Sequence, residues 1–428
     1  MKIAVVGAGW AGLAAAVCAV QAGHAVTVWE AARTLGGRAR ALEVQLPDGS
    51  SATLDNGQHI LIGAYAETLR LMRLVGVDPN QAVLRLPFAL RYPDDSGIRF
   101  PPWPAPWDAL AGILGARGWS LADKAALARH AVSWRLSGFS CASDLSVAAL
   151  CRALPQRVMS ELIEPLCVSA LNTPTQDSSA QVFLRVLRDA VFGSSGGSNL
   201  LLPRVSLSAL FPDAAAAWLQ RHGASVHVGT RVRQLQHDGQ WQINGQLFDR
   251  VLLATAAPDT LHILADCLPL ASAGSRPLIA HWSAITRELA HTAITTVYAW
   301  AQGARLAQPM LALRANTAAS PVHPAQFVFD RGQLDGPPGL LAFVVSASSG
   351  DRELLQAQVL EQAHAQLGLT LLPVKTVVEK RATLACTPGL RRPPIIIAPG
   401  LLACADYVEG PYPSTIEGAV RTAMAATR

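Results

Sequence analysis

What this chain has little of narrows its function before any motif is read. Only 15% of its 428 residues are charged, against the usual quarter, so much of the chain is buried or faces something apolar. The formal net charge of +5 is modest and spread out. No basic run is interleaved with aromatics, so there is no nucleic-acid signature. The cysteines, Cys18, Cys141, Cys151, Cys167, Cys267, Cys386 and Cys404, are odd in number and form no C-x-x-C pair or His-neighboured cluster. Neither a disulfide framework nor a metal is expected, and a reducing cytoplasm fits. No apolar run can span a bilayer, and the amino terminus enters a strand rather than a signal peptide. The expected protein is soluble or monotopic, cytoplasmic or peripheral on the inner face of the cytoplasmic membrane. Repeats and low-complexity tracts are also missing. A chain of this length is then expected to fold as two intertwined domains.

What is present begins at once. Lys2 to Val6, Gly7-Ala8-Gly9-Trp10-Ala11-Gly12, the apolar run after it and Val26 to Glu30 read as strand, glycine turn, helix and strand. Gly7 permits the sharp turn, Gly9 lets the backbone approach a pyrophosphate, and Gly12 packs the helix against the sheet. The helix N-terminus then offers free N–H groups and a positive dipole end to phosphates. Glu30, 23 residues after Gly7, is placed to accept hydrogen bonds from ribose hydroxyls, which disfavours NADP. Gly36-Gly37-Arg38 puts a flexible backbone beside a cation able to pair with phosphate or flavin oxygens.

Residues 40–54 read as a hairpin about Pro47-Asp48-Gly49. The hairpin delivers Asp55-Asn-Gly57-Gln58-His59, the densest proton-handling cluster of the amino-terminal third. Asp55 and His59 either act directly or satisfy buried backbone groups. Between Ile98 and Trp119, tryptophans flank a short apolar helix over 108–116, with Arg99, Arg117 and Lys124 nearby. Two readings stay open there, an interfacial membrane contact and ordinary packing of a substrate domain. Farther on, Arg250 to Pro258 reads as a buried strand ending in small residues, and Gly400 to Asp406 as a strand ending in an acid. Gly410 to Val420 opens a helix, through Thr415, Ile416 and Glu417, whose N-terminus can face a flavin.

Glu30-Ala31-Ala-Arg33-Thr-Leu-Gly36-Gly37-Arg38 resembles the continuation found in the flavoprotein amine oxidase and phytoene desaturase superfamily. Five further stretches, Asp55–Tyr65, Ala170–Pro174, Ser179–Arg188, Leu200–Phe211 and Gly410–Val420, resemble the hydroxysqualene dehydroxylases, also called squalene-associated FAD-dependent desaturases. The likeness covers nearly the whole chain. It implies an α/β fold: a Rossmann-type, glutathione reductase-like FAD-binding domain interleaved with an α+β substrate domain. Residues 1–75, 196–258 and 375–428 are expected in the first, and 76–195 and 259–374 in the second, with a membrane-contact segment near 98–120. FAD is implied as cofactor, held by Gly7, Ala8, Gly9, Trp10, Ala11, Gly12, Glu30, Ala31, Arg33, Gly37, Arg38, Gly57, Gln58, His59, Val232, Ala254, Asp406, Thr415, Ile416 and Glu417. Of these, Val232 would receive the adenine and Asp406 the ribityl chain.

The implied reaction is reduction of hydroxysqualene to squalene within hopanoid biosynthesis, on a C30 isoprenoid held in an apolar tunnel. His59 is the candidate for assisting departure of the hydroxyl. The same scaffold admits a carotenoid-type desaturase or other polyene oxidoreductase running in the oxidising direction. It also admits a non-catalytic prenyl-lipid-binding protein. The electron donor and oligomeric state are left open.

Overall fold

A computed structural model describes residues 1–316 and 322–428. One six-stranded sheet is assembled from distant parts of the chain, in the order Ser225–His227, Ala25–Trp29, Lys2–Val6, Arg250–Leu253, Leu401–Ala403 and Ile396–Ala398. The first five strands are parallel and the last is antiparallel. Parallel strands covered on both faces read as continuous apolar runs, and Ile3 to Val6 and Val251 to Leu253 are such runs, all buried. Alternation along the first strand divides two cores. Ile3 and Val5 join the core under the helices Trp10–Gln21, Pro212–Arg221 and Ile416–Ala426. Ala4 and Val6 face the core that holds Trp241 and Trp282.

A second, five-stranded antiparallel sheet runs Met310–Ala312, Phe327–Asp330, Leu340–Ser348, His291–Trp300 and Leu372–Leu384. Its alternation is equally clean. Tyr298, Phe327, Phe329 and Val344 join the largest core, with the helical region 147–191, while Val297, Val328 and Phe343 pack beneath the helix Arg352–Leu367. A small three-stranded sheet, Leu61–Ile62, Leu200–Pro203 and Val83–Leu86, ties the two regions together.

The expected strand–turn–helix–strand unit and the hairpin about Gly49 both form. Two of the expected boundaries differ. Residue 375 falls inside the strand Leu372–Leu384, which pairs with His291–Trp300 along its length, so the second sheet reaches Leu384. The helices Ala257–Cys267 and Ser275–Arg287 bury Leu264, Cys267, Ile279 and Trp282 in the same core as Val6 and Leu253. They therefore belong with the first sheet and not with the second domain. Periodicity identifies an element's type and buried face but not the sheet it joins. Among the described residues, no helix is long and apolar enough to cross a membrane.

Candidate active site

The glycine turn is fixed by backbone contacts on two sides. Gly7 lies at φ +103°, and a methyl group there would meet Ala254 O at 2.7 Å. At Gly12 a methyl group would lie 1.9 Å from Gly7 O, so only glycine lets the helix start this close to the strand. Gly9 differs: its φ is −74°, and the nearest atom to an added methyl would be Gly37 Cα at 3.8 Å. The protein itself leaves that space open, and the space belongs to a cavity of about 1040 Å³. An open cradle at a helix N-terminus, with Glu30 beside it, fits the pyrophosphate and ribose of a dinucleotide.

Glu30 accepts hydrogen bonds from Ala8 N (2.7 Å, Oε2) and Ala32 N (2.8 Å, Oε1). Each oxygen retains acceptor capacity, since an ionised carboxylate oxygen can take two donors. Trp10 is anchored, donating from Nε1 to Ala39 O at 3.3 Å with its ring 5.1 Å from that of Phe211. Of the residues expected at the cofactor, all but three border the cavity. Ala8 and Gly12 stand behind its wall, where both backbone groups of Ala8 are already used, by Glu30 and by Gly36 N. Arg33 is also off the wall.

At the middle of the cavity the two ends of the chain meet. Arg38 is not a free cation: Nη2 pairs with Asp406 Oδ1 at 2.6 Å, and Nη1 donates to Arg381 O and Ala382 O. The Asp406 charge holds its guanidinium above its ordinary pKa. Thr415 caps the helix Ile416–Ala426, its Oγ1 accepting from Gly418 N at 2.9 Å. Glu417 has a different job from the one expected of a flavin contact. Its buried carboxylate accepts from Glu67 N, Thr68 N, Thr68 Oγ1 and Arg421 Nε. It therefore caps the first turn of the helix Ala66–Leu74, and only its backbone remains for a ligand.

Asp55 resembles Glu417 in this. Its Oδ1 accepts from Leu207 N at 2.8 Å, at the start of the helix Leu207–Leu210, and its carbonyl accepts from Tyr298 Oη at 2.9 Å. Burial pushes the Asp55 carboxyl up, opposed by the Leu207 N–H and by the Arg331 charge. Asp55 thus satisfies buried backbone groups, and the loop it starts carries the exposed chemistry. Gln58 N donates to Thr296 Oγ1 at 3.3 Å, and Gln58 Oε1 accepts from Arg331 Nη1 at 3.3 Å. His59 has Nδ1 2.9 Å from Gly57 O, which requires Nδ1 to carry the proton. Burial pulls its pKa down, so at neutral pH the ring presents Nε2 as an acceptor. At neutral pH that geometry offers an acceptor, not an acidic proton, to the hydroxyl whose departure His59 is expected to assist.

Beyond this loop the wall turns apolar, with Phe88, Phe100, Leu162, Leu187, Phe327 and Phe329 among its residues. Part of it is a π-helical turn, Met159–Ile163. Pro165 has no N–H for the carbonyl four residues earlier and its ring would crowd it. Glu161 O accepts from Tyr92 Oη at 3.2 Å instead. Three residues that sequence reasoning missed complete the wall or its support. Arg331 is buried behind Gln58 and marked only by its place after an apolar strand. Asp189 and Tyr412, joined at 2.7 Å, both border the cavity and link the substrate helix Ala180–Val191 to the loop before the last helix. No local signal pairs residues 223 positions apart.

A family model described as flavin containing amine oxidoreductase matches residues 10–428. A hydroxysqualene dehydroxylase of Rhodopseudomonas palustris is 27% identical over 98% of this chain and 95% of its own length. A zeta-carotene desaturase of Synechocystis sp. is 39% identical, but over 80 residues, 19% of this chain and 16% of that one. Among solved structures, an oxidoreductase from Methanosarcina mazei matches with a TM-score of 0.73 at 18% identity, covering 99% of both chains.

Proposed function

The chain belongs to the flavin-containing amine oxidoreductase family and is an FAD-dependent oxidoreductase, from which we propose that it reduces hydroxysqualene to squalene. The observation that carries this reading is the single cavity that runs from the Gly9 cradle past His59 into a chamber lined by phenylalanine and leucine. A cofactor-binding cleft continuous with an apolar chamber suits a substrate that is hydrocarbon except at one carbon. Likeness to the Rhodopseudomonas palustris protein over almost the full chain supports the same reading. The cofactor, when bound and reduced, would supply a hydride to the carbon that loses its hydroxyl, and the hydroxyl would leave as water with the proton that the reduced cofactor also gives up.

The chain's own residues bind, orient and exclude water. Phe88, Phe100, Phe327 and Phe329 keep the chamber dry, and His59 Nε2 is the acceptor that fixes the substrate hydroxyl as the only polar end of the ligand. His59→Ala is expected to lower turnover by roughly tenfold, the loss of one hydrogen bond that positions the substrate hydroxyl. Unchanged turnover removes His59 from the reaction.

Running the same scaffold in the oxidising direction, on a polyene, is the second reading, favoured by the short stretch at 39% identity to a zeta-carotene desaturase. Family membership favours either enzyme over a non-catalytic prenyl-lipid-binding protein. The deciding experiment reduces the purified yellow protein without oxygen and adds hydroxysqualene. Reoxidation of the flavin with formation of squalene is the expected result. Reduction of the oxidised protein by a polyene, with no response to hydroxysqualene, replaces the proposal with the desaturase reading.

A further inference from the structure

Seven of the sixteen exposed large hydrophobic side chains among the described residues fall between positions 103 and 136. They are arranged by helical geometry. On the helix Trp107–Leu114, Trp107, Leu110 and Leu114 follow the i, i+3, i+7 spacing of one face and are 62, 41 and 63% exposed. Trp103 just before it is 55% exposed, and Leu121 just after it 84%. Ala109 and Ile113, on the opposite face, are buried and border the apolar chamber. Leu127, Ala131 and Trp134 of the next helix, Leu121–Leu136, border it too. The helix 107–114 is therefore apolar on both sides, one toward the chamber and one outward. Its single charged residue, Asp108, is buried with Oδ1 on Ala109 N at 2.7 Å.

Charge along this segment is mostly positive, with Arg117 paired to Asp95 just outside it. Residues 98–136 hold five basic side chains, Arg99, Arg117, Lys124, Arg129 and Arg135, and two acidic ones. Asp108 is the buried one, and Asp123 is spent in the capping box with Ser120. Lys124 Nζ donates to Leu114 O at 2.8 Å, which sets an ammonium group directly beside an exposed leucine. Exposed tryptophan and leucine ringed by cations match a surface that is anionic outside and hydrocarbon beneath. A second copy of the chain would bring the same cations against themselves.

We propose that the two helices over 107–136 dock on an anionic lipid leaflet and form the roof through which an apolar substrate passes from the bilayer into the chamber. The inference rests on the proposed reading for the nature of the substrate but not for the docking. It follows that the substrate need not cross water: outward face, helix and chamber are apolar throughout, and the roof over the chamber is one helix thick.

Flotation of the flavin-loaded full chain with vesicles tests the docking. Wild-type protein is expected to float with vesicles of phosphatidylcholine and phosphatidylglycerol at about seven to three, and at least fivefold less with phosphatidylcholine alone. Trp107→Glu with Leu114→Glu, which touches neither chamber nor cofactor wall, is expected to abolish flotation while keeping flavin content and turnover of detergent-dispersed hydroxysqualene. Its turnover of hydroxysqualene held in the anionic vesicles should fall at least tenfold. Failure of the wild type to float, or flotation by the double variant, overturns the docking. Undiminished turnover from vesicles by the variant overturns the roof as the entrance. Wild-type flotation without consumption of hydroxysqualene leaves the docking standing and instead removes the proposed reaction. Self-association through this face, lost in the double variant without any lipid binding by the wild type, replaces the leaflet with a second copy.

Discussion

Gly9 and Gly12 are glycine for different physical reasons, and the difference is measurable. A methyl group at Gly12 would be forced onto Gly7 O at 1.9 Å, so Gly12→Ala is expected to destabilise the fold by about 3 kcal/mol, at the upper end for overpacking. At Gly9 the added methyl has 3.8 Å of clearance and a compatible φ of −74°. Gly9→Ala should therefore melt like the wild type when both are stripped of cofactor, yet bind FAD at least tenfold more weakly. Thermal unfolding of the apoproteins and the ratio of flavin to protein absorbance separate the two. His59 gives a prediction in pH. Burial lowers its folded pKa, so the unfolded chain takes up a proton near 6.5 while the folded chain resists until lower pH. Its contribution to stability is complete above that value and is lost as the pH falls through the folded pKa. The Asp55 carboxyl is raised and works in the opposite sense, its contribution lost as the pH rises. Unfolding in denaturant between pH 7 and 5 should thus show a fall in stability that His59→Asn reduces. At this scale the sequence was most legible where a residue's reason is steric and local. The spacing of Gly7, Gly9 and Gly12 needs only the adjoining strand and helix. The tautomer of His59 depends on a carbonyl two residues away and on burial by the whole fold, and no pattern encodes that.

Helix starts account for what two conspicuous acids do. Asp55 and Glu417 lie in stretches that carry the family resemblance, and both spend their carboxylates on helix N-termini far away in sequence, 152 and 349 positions distant at Leu207 and Thr68. Unpaired N–H groups in the first turn need acceptors, and an acid from another element supplies them where the helix starts in the interior. Glu417→Gln keeps the shape but loses the charge shared with Arg421 at 2.7 Å. It is expected to cost about 1.5–3 kcal/mol in unfolding free energy, the range for hydrogen bonds to charged groups, with little change in flavin absorbance. Loss of flavin at unchanged stability would instead restore Glu417 as a cofactor contact. The helices were legible element by element: Ser179 before Ala180–Val191 and Thr415 before Ile416–Ala426 cap as their residue types require. The strand Leu372–Leu384 was harder to place, because its partner along the whole length lies about eighty residues earlier.

On the scale of the molecule, the chain is folded so that its two domains share the wall of one cavity, and polar contacts across it join them. The loop before the last helix is gripped from the substrate side by Tyr412 Oη on Asp189 at 2.7 Å, by Arg185 Nη1 on Pro411 O at 3.1 Å and by Leu384 N on Ser414 Oγ at 2.7 Å. The Tyr412 phenol is pushed up to about 12, by burial first and then by the Asp189 carboxylate, so it stays protonated and donates across the working pH range. A neutral donor locked on a carboxylate is a latch rather than an acid. The chamber beyond it was invisible to pattern reading because Phe88, Leu162, Leu187 and Phe329 come from four separate elements or connections and converge only in the folded chain. Tyr412→Phe removes the charge-assisted bond while leaving Asp189 its contact with Arg188. Hydrogen exchange of residues 410–415 is expected to rise on the order of tenfold, the equivalent of about 1.4 kcal/mol of local opening. Global unfolding should change little, since both cores are untouched. Exchange that accelerates equally throughout the substrate domain would show that the bond holds that domain's fold. Exchange that does not change would mean that Arg185 and the packing of the loop suffice, and that the two halves of the wall are joined by shape rather than by this pair.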